Sequence, residues 1–314
     1  MNIRQSPRYL RVSLLSACNL QCSYCLPPGK HQRSISAPYD KVCQAIRFLH
    51  SCGIKKIRFT GGEPTLYKDL CRLVAFIKAI DRDVHTAVTS NGVLLEAKAR
   101  ALSEAGLDSV NISIDTLNPT KFHDLTGRAH LNQVIAGIDA AMSYIGKVKL
   151  NCVLIRGIND YTVDKLILFA HKRGLDIRFI EFMPNHYSIP DDPRYISGKE
   201  IRNRLPWDLQ PLPDRSNSAA RYYVSPSLRI KVGFISPVSQ PFCSGCDRIR
   251  LNAEGLLYTC LYDCCNINLF DLLGTDSNRI LAEFKNLKES KRFGGYQTRT
   301  DSASILPSFS AIGG

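Results

Sequence analysis

The stretch "YLRVSLLSACNLQCSYC", residues 9–25, decides the fold. It begins as a β-rich run, Tyr9 to Leu15, and ends in three cysteines spaced C-x3-C-x2-C: Cys18, Cys22 and Cys25. Thiolates are soft ligands that suit iron–sulfur clusters and zinc. A disulfide uses two cysteines, and a closed cluster or structural zinc site usually uses four. Three predict a site with one coordination position open. Catalytic zinc with a bound water is the competing reading, and His31, six residues past Cys25, is a candidate ligand for it.

Working outward, the same strand-then-loop pattern recurs through the first 182 residues. Candidate strands are 9–15, 56–60, 84–89, 109–114, 148–154 and 176–182, and candidate helices are 38–52, 66–80, 93–105, 131–145 and 162–173. Alternating strands and helices predict right-handed crossovers and a parallel sheet. The fold class is α/β, an incomplete TIM-type barrel of about six βα units with a C-terminal β-rich extension. The special residues follow the strands: the cysteines, "GGEP" (61–64), "SNG" (90–92), "SID" (113–115) and "EFMP" (181–184). Loops at the C-terminal ends of parallel strands share one mouth, which is where α/β folds place their sites. The pattern breaks after residue 184, so the expected division is 1–184 for the barrel and 185–314 for the extension. In the extension we expect a short helix at 197–205, hairpins at 221–238 and 248–262, and helices at 266–273 and 278–290.

The chain of 314 residues carries a formal net charge of +13 and twelve cysteines. The charge favours polyanionic partners such as phosphorylated small molecules or nucleic acid. No apolar run reaches the roughly 18–20 residues of a membrane span, and no signal peptide is recognisable. We therefore expect a cytoplasmic protein with no membrane partner, in which cysteines serve metal or redox chemistry before disulfides. A second set, Cys243, Cys246 and Cys260, has the spacing C-x2-C-x13-C. Spacing alone leaves three readings: a zinc site closed by Cys264 or Cys265, a second cluster, or free thiols.

Residues 18–25 resemble the signature of the radical S-adenosylmethionine (SAM) superfamily. "FTGGEPTLYKDL", "TSNG", "SVNISIDTL", "NCVLIRGIND", "IRFIEFMP", "FISPVSQPFCSGCDRIRLNAEGLLYTCLY" and the terminal "AIGG" narrow this. In order and over nearly the whole chain, they resemble the GTP 3′,8-cyclase family of molybdenum cofactor biosynthesis. The resemblance implies two [4Fe-4S] clusters, one on Cys18, Cys22 and Cys25 with SAM on its open iron, and one on Cys243, Cys246 and Cys260 facing the purine of GTP. It implies that Gly61, Gly62 and Glu63 meet the amino-acid end of SAM. Thr89, Ser113 and Met183 would surround the rest of SAM, with Tyr24 near the adenine. Arg11, Lys56, Arg58, Lys149 and Arg178 match phosphate-binding positions, and Arg248 and Arg250 match the paired arginines after the second cysteine pair. Gly313 and Gly314 match a tail that reaches into the active site. The reaction implied is hydrogen abstraction from ribose C3′ of GTP by a 5′-deoxyadenosyl radical, then attack on C8, giving 3′,8-cyclo-7,8-dihydroguanosine triphosphate. The partners implied are a flavodoxin or ferredoxin as electron donor, cyclic pyranopterin monophosphate synthase downstream, and a second copy in a homodimer.

The sequence departs from the family pattern at Ala17, where Arg or Lys is common, at "CLPP" after the third cysteine, and in the extra Cys264 and Cys265. An extra thiolate on the second cluster would close its substrate position. The alternatives are another twin-cluster radical SAM enzyme, acting on a peptide or a different nucleotide, and a zinc-containing nucleic-acid-binding protein. The second leaves the first triad and "GGEP" without a purpose, so no nucleic-acid partner is expected. Cys43, Cys52, Cys71 and Cys152 read as core thiols. Lys and Arg on barrel strands either point outward into water or line an interior that must then hold an anion.

Overall fold

The structure is a computed structural model that describes residues 7–25, 34–183, 192–214, 218–261 and 266–289. The expectations for His31, Cys264, Cys265, Gly313 and Gly314 lie outside the described residues. The barrel half runs β1 (Tyr9–Ser13), α1 (Tyr39–Ser51), β2 (Lys56–Thr60), α2 (Leu70–Ile80), β3 (His85–Ser90), α3 (Leu95–Glu104) and β4 (Ser109–Ser113). It continues with α4 (Pro119–Thr126), α5 (Leu131–Tyr144), β5 (Val148–Leu154), α6 (Val163–Lys172) and β6 (Asp176–Glu181). The extension adds α7 (Gly198–Arg204), β7 (Gln210–Pro211), β8 (Arg221–Ser225), β9 (Leu228–Ile235), β10 (Arg248–Leu251), β11 (Leu256–Tyr258), β12 (Asn266–Asn268), α8 (Leu269–Leu272) and α9 (Ser277–Glu289).

Among the described residues, twelve strands form one sheet, in the order β12-β11-β10-β1-β2-β3-β4-β5-β6-β9-β8-β7. The six βα units give the six central parallel strands, as the alternation predicts. Both hairpins of the extension then join that sheet. β9 pairs parallel with β6 on one side, and β10 pairs parallel with β1 on the other. The partial TIM-type barrel is therefore continued at both edges by strands from the extension.

Alternation divides the sheet into two faces. Leu10, Val12, Ile57, Phe59, Val110, Ile112, Leu150, Cys152, Ile177 and Phe179 are all 1% exposed or less and belong to one apolar core. Helices cover that face, α1 through Ala45, Ile46 and Leu49 and α2 through Leu73, Val74 and Ile77. Each such side chain contributes roughly 1.5–3 kcal/mol on burial. The intervening residues Tyr9, Arg11, Lys56, Arg58, Thr89, Asn111, Lys149, Asn151 and Arg178 must then share the other face.

Three element readings need correction. The helix expected at 66–80 begins as a single 3-10 turn at Pro64–Leu66, and α2 starts only at Leu70. The helix expected at 266–273 opens instead as β12, because Asn266–Asn268 pairs with β11, and only Leu269–Leu272 is helical. α4 was not expected. Its signals are nonetheless local: Asn118 caps it by accepting from the Lys121 N–H, Pro119 follows, and Gly127 ends it with φ of 66°. Among the described residues, no helix is long and apolar enough to cross a membrane.

Candidate active site

The loop after β1 carries Cys18, Cys22 and Cys25, and the loops after β2 and β3 pack directly against it. The Gly62 N–H donates to Leu15 O at 2.7 Å, and the Glu63 N–H donates to Ala17 O at 2.9 Å. A Cβ on Gly62 would lie 2.1 Å from Ala17 O, and one on Gly61 would lie 2.5 Å from Leu15 O. The paired glycines are thus required by the close approach of two backbones. Glu63 is 1% exposed. Its carboxylate accepts from the Thr65 N–H (3.0 Å), Thr65 Oγ1 (2.6 Å), Ser90 Oγ (2.8 Å) and the Asn91 N–H (2.7 Å). Asn91 Nδ2 in turn donates to Asn19 Oδ1 at 2.7 Å and to Cys18 Sγ at 3.7 Å. "GGEP" and "SNG" therefore act as one brace behind the first cysteine.

The described cysteines form no disulfide. Burial pushes the Cys18 thiol up to about 11 and raises Cys22 well above its ordinary value, with Asp115, Cys25 and Cys18 adding to the effect at Cys22. These thiols are electrostatic neighbours whose protonated state is favoured without a metal. A bound iron–sulfur cluster would reverse that preference, because a coordinated thiol is held as thiolate. Three soft donors, a glycine-lined approach and N–H donors to Cys18 Sγ from Leu20 (3.4 Å) and Asn91 fit an iron–sulfur cluster. Among the described residues, no three metal-binding side chains converge on a position for a single ion.

The second triad lies at the opposite end of the β1–β10 pair. Cys246 precedes β10, and Cys260 follows β11, which runs antiparallel to β10. Both are thereby brought to the end of β10 where β1 begins. Cys243 is in the single 3-10 turn that precedes Cys246, whose N–H returns to Cys243 O at 3.1 Å.

Between the two triads, strand register assembles the cations. Arg250, Arg11 and Arg58 occupy one row, and Arg248, Tyr9, Lys56 and His85 occupy the next. Arg58 and Arg250 are 6% and 7% exposed, so these side chains do not point into water. Arg58 donates to Tyr9 Oη (2.7 Å), Val88 O (2.8 Å) and Thr89 Oγ1 (3.2 Å). Arg178 is bounded by Gly233, and its Nε and Nη2 have no hydrogen-bond partner among the described residues. Burial lowers Arg11, Lys56, Arg178 and Arg250 from their ordinary values, and neighbouring guanidinium groups lower them further. Such a concentration of buried positive charge calls for an anion. Lys149 differs from the rest: it pairs with Asp176 at 2.9 Å and with Tyr222 Oη at 3.0 Å.

Ser113 ends β4 and Thr89 lies near the end of β3, so both are on the mouth of the first triad. Met183 follows β6 and is half-buried. Tyr24 Oη donates to Asp115 Oδ2 at 2.6 Å, while Asp115 Oδ1 accepts from the Val153 N–H at 2.8 Å. Sequence reasoning singled out "SNG" (90–92) and "SID" (113–115) as mouth loops but gave Asn91 and Asp115 no role of their own, and it missed Tyr9. The alternation on β1 was the available signal for Tyr9, since it places that residue on the same face as Arg11.

Comparison with known proteins gives the family of the chain. A model described as the Radical SAM superfamily matches residues 12–170, and one described as Molybdenum Cofactor Synthesis C matches residues 175–294. The GTP 3′,8-cyclase of Edwardsiella ictaluri is 36% identical over 296 residues, covering 90% of each chain. The chain belongs to the GTP 3′,8-cyclase family. The family member of Clostridium botulinum is 37% identical over 274 residues, covering 85% of each chain. Molybdenum cofactor biosynthesis protein 1 of Drosophila melanogaster is 36% identical over 277 residues, and this chain spans 49% of its length. Streptococcus suis SuiB bound to S-adenosylmethionine shares the fold, with a TM-score of 0.65 at 14% identity over 95% of this chain and 69% of that one. As a member of the family, the chain is a radical SAM enzyme with two [4Fe-4S] clusters.

Proposed function

We propose that this chain converts GTP to 3′,8-cyclo-7,8-dihydroguanosine 5′-triphosphate, the first step of molybdenum cofactor biosynthesis. One observation carries the reading: a row of cations, buried at Arg58 and Arg250 and half-buried at Arg11, lies between two cysteine triads at opposite ends of the β1–β10 pair. Cys18, Cys22 and Cys25 hold the cluster that binds SAM, and Cys243, Cys246 and Cys260 hold the cluster nearest the purine. When bound and reduced, the first cluster and SAM supply the 5′-deoxyadenosyl radical that abstracts the C3′ hydrogen of GTP.

The chain's own residues position the reactants. The backbone of Gly61, Gly62 and Glu63 lies along the SAM site, while the Glu63 carboxylate fixes that loop to Ser90 and Asn91. Thr89, Ser113, Met183 and Tyr24 bound the rest of SAM. Arg11, Lys56, Arg58, Arg178, Arg248 and Arg250 receive the triphosphate, for which guanidinium forks are well shaped. Lys149 contributes less, because Asp176 already neutralises it. Gly313 and Gly314 complete the catalytic set with Arg248 and Arg250. The division at residue 184, a cytoplasmic location, a flavodoxin or ferredoxin donor, homodimerisation and delivery to cyclic pyranopterin monophosphate synthase belong to the same proposal.

The test is anaerobic reconstitution, metal analysis and incubation with dithionite, SAM and GTP. About eight irons per chain, 5′-deoxyadenosine and an isomer of GTP by mass spectrometry are expected. Deleting Gly313 and Gly314 should abolish the isomer and leave the iron content unchanged. About four irons with one zinc, and GTP untouched, would overturn the assignment.

A further inference from the structure

Tyr9 has no part in the function above, yet it stands at the centre of the cationic site. Its hydroxyl accepts from Arg58 Nε at 2.7 Å. Lys56 Nζ lies 4.8 Å from its ring centroid, and Arg248 Cζ lies 5.8 Å from it. Both contacts fall in the range of cation–π attraction. Charged and titratable groups approach from every neighbouring strand: Arg11 on its own strand, Lys56 and Arg58 on β2, His85 on β3, Arg178 on β6, and Arg248 and Arg250 on β10. Tyr9 is the one member of the row Arg248–Tyr9–Lys56–His85 able to become negative. Burial pushes its phenol up, but Arg58, Arg11, Lys56 and Arg248 together outweigh that and bring it down to about 7.

We propose that Tyr9 is a positioning residue and charge buffer of the polyanion site. Its ring and oxygen seat Lys56, Arg58 and Arg248 before substrate arrives. Its phenolate then takes a proton from solvent when a triphosphate supplies the negative charge instead. No electron moves, and the only bond formed is the phenol O–H. The inference rests on the triphosphate site proposed above.

The sign of the pH effect follows. Below about pH 7 the phenol is already neutral and binding takes up no proton at Tyr9. Above it, phenolate and triphosphate compete for the same cations, so the dissociation constant rises by up to about tenfold per pH unit, the linkage limit for one proton. Tyr9→Phe keeps the ring and removes the titrating oxygen. Tyr9→Leu removes both; it should weaken binding about tenfold below about pH 7, as expected for lost cation–π contacts, and its deficit relative to the wild type should shrink above that pH, where only the wild type carries a competing phenolate.

The experiment is isothermal titration calorimetry of the anaerobically reconstituted full chain with GTP. It is run at pH 8 in buffers of different ionisation enthalpy and repeated with inorganic tripolyphosphate. Proton uptake near one per site in the wild type, absent in Tyr9→Phe with binding retained, is expected. Equal uptake in both proteins overturns the proposal. So does loss of binding in Tyr9→Phe at every pH with iron content intact, because the oxygen would then be an obligatory ligand. If the wild type binds neither GTP nor tripolyphosphate, the triphosphate site itself has failed and the role of Tyr9 falls with it.

Discussion

Glu63→Gln is the sharpest test of how the SAM loop is held. Oε1 accepts three hydrogen bonds, from the Thr65 N–H, Thr65 Oγ1 and Ser90 Oγ, and Oε2 accepts one from the Asn91 N–H. All four partners are donors, so the site is built for an acceptor-only group. The best placement of the glutamine keeps its oxygen at the Oε1 position and turns its NH2 toward the Asn91 N–H. That loses one charge-assisted bond, about 1.5–3 kcal/mol, and leaves two donors facing each other in a buried site. The amide is easier to bury than a carboxylate, which offsets part of the loss. The net destabilisation should be about 2 kcal/mol. Urea unfolding of the cluster-free protein measures it without interference from metal. Asn91 also contacts Asn19 and Cys18, so iron retention after reconstitution should fall in the same variant. A Glu63→Gln protein as stable as wild type within about 0.5 kcal/mol would refute the acceptor-only site.

Three further substitutions and one ligand addition discriminate among the contacts. Gly62→Ala places a methyl 2.1 Å from Ala17 O, so it should cost about 3 kcal/mol or more in unfolding free energy and reduce bound iron. Arg58→Ala should weaken GTP binding by at least tenfold in equilibrium dialysis, whereas Lys149→Ala, whose charge Asp176 already answers, should weaken it by about threefold or less. Equal effects of the two would mean that ion pairing at Lys149 does not set its share. GTP or tripolyphosphate at about 100 times its dissociation constant should raise unfolding free energy by about 2.7 kcal/mol, followed as a shift in thermal midpoint.

The sheet was legible because local patterns and global topology agree. Each of the six predicted strands in the barrel half is apolar on alternate residues and ends in a loop rich in Gly, Asn or Asp. Asn266–Asn268 was misread for the opposite reason: three residues are too short to show a period, and only pairing with β11 makes them a strand. α4 had a cap, a proline and a terminal glycine, but it lies between two stronger elements and adds no strand. The role of Glu63 was also hidden. A carboxylate beside two glycines looks like a ligand for an ammonium group, and only the three-dimensional positions of Thr65, Ser90 and Asn91 show that its oxygens are already engaged. Glu181 in "EFMP" is similar, since it accepts from the backbone of Gly198, Val238 and Ser239 and ties the end of β6 to the extension.

The two faces of the sheet explain why stability and function sit together in this chain. A one-residue shift in any central strand would move Phe59 or Phe179 into the cationic interior and Arg58 or Arg178 against the helices. The apolar face, with strand residues such as Leu10, Val12, Phe59, Val110 and Phe179 at 1% exposure or less, therefore fixes the register that aligns Arg250, Arg11 and Arg58. The cationic face contributes the opposite: mutual repulsion and burial oppose folding there until an anion arrives. β10 couples the two. Its Ile249 and Leu251 are buried with the core, while its Arg248 and Arg250 complete the cation rows and Cys246 lies at its start. A substitution at Ile249 should therefore disturb triphosphate binding without touching a ligand, through the register of β10 on β1.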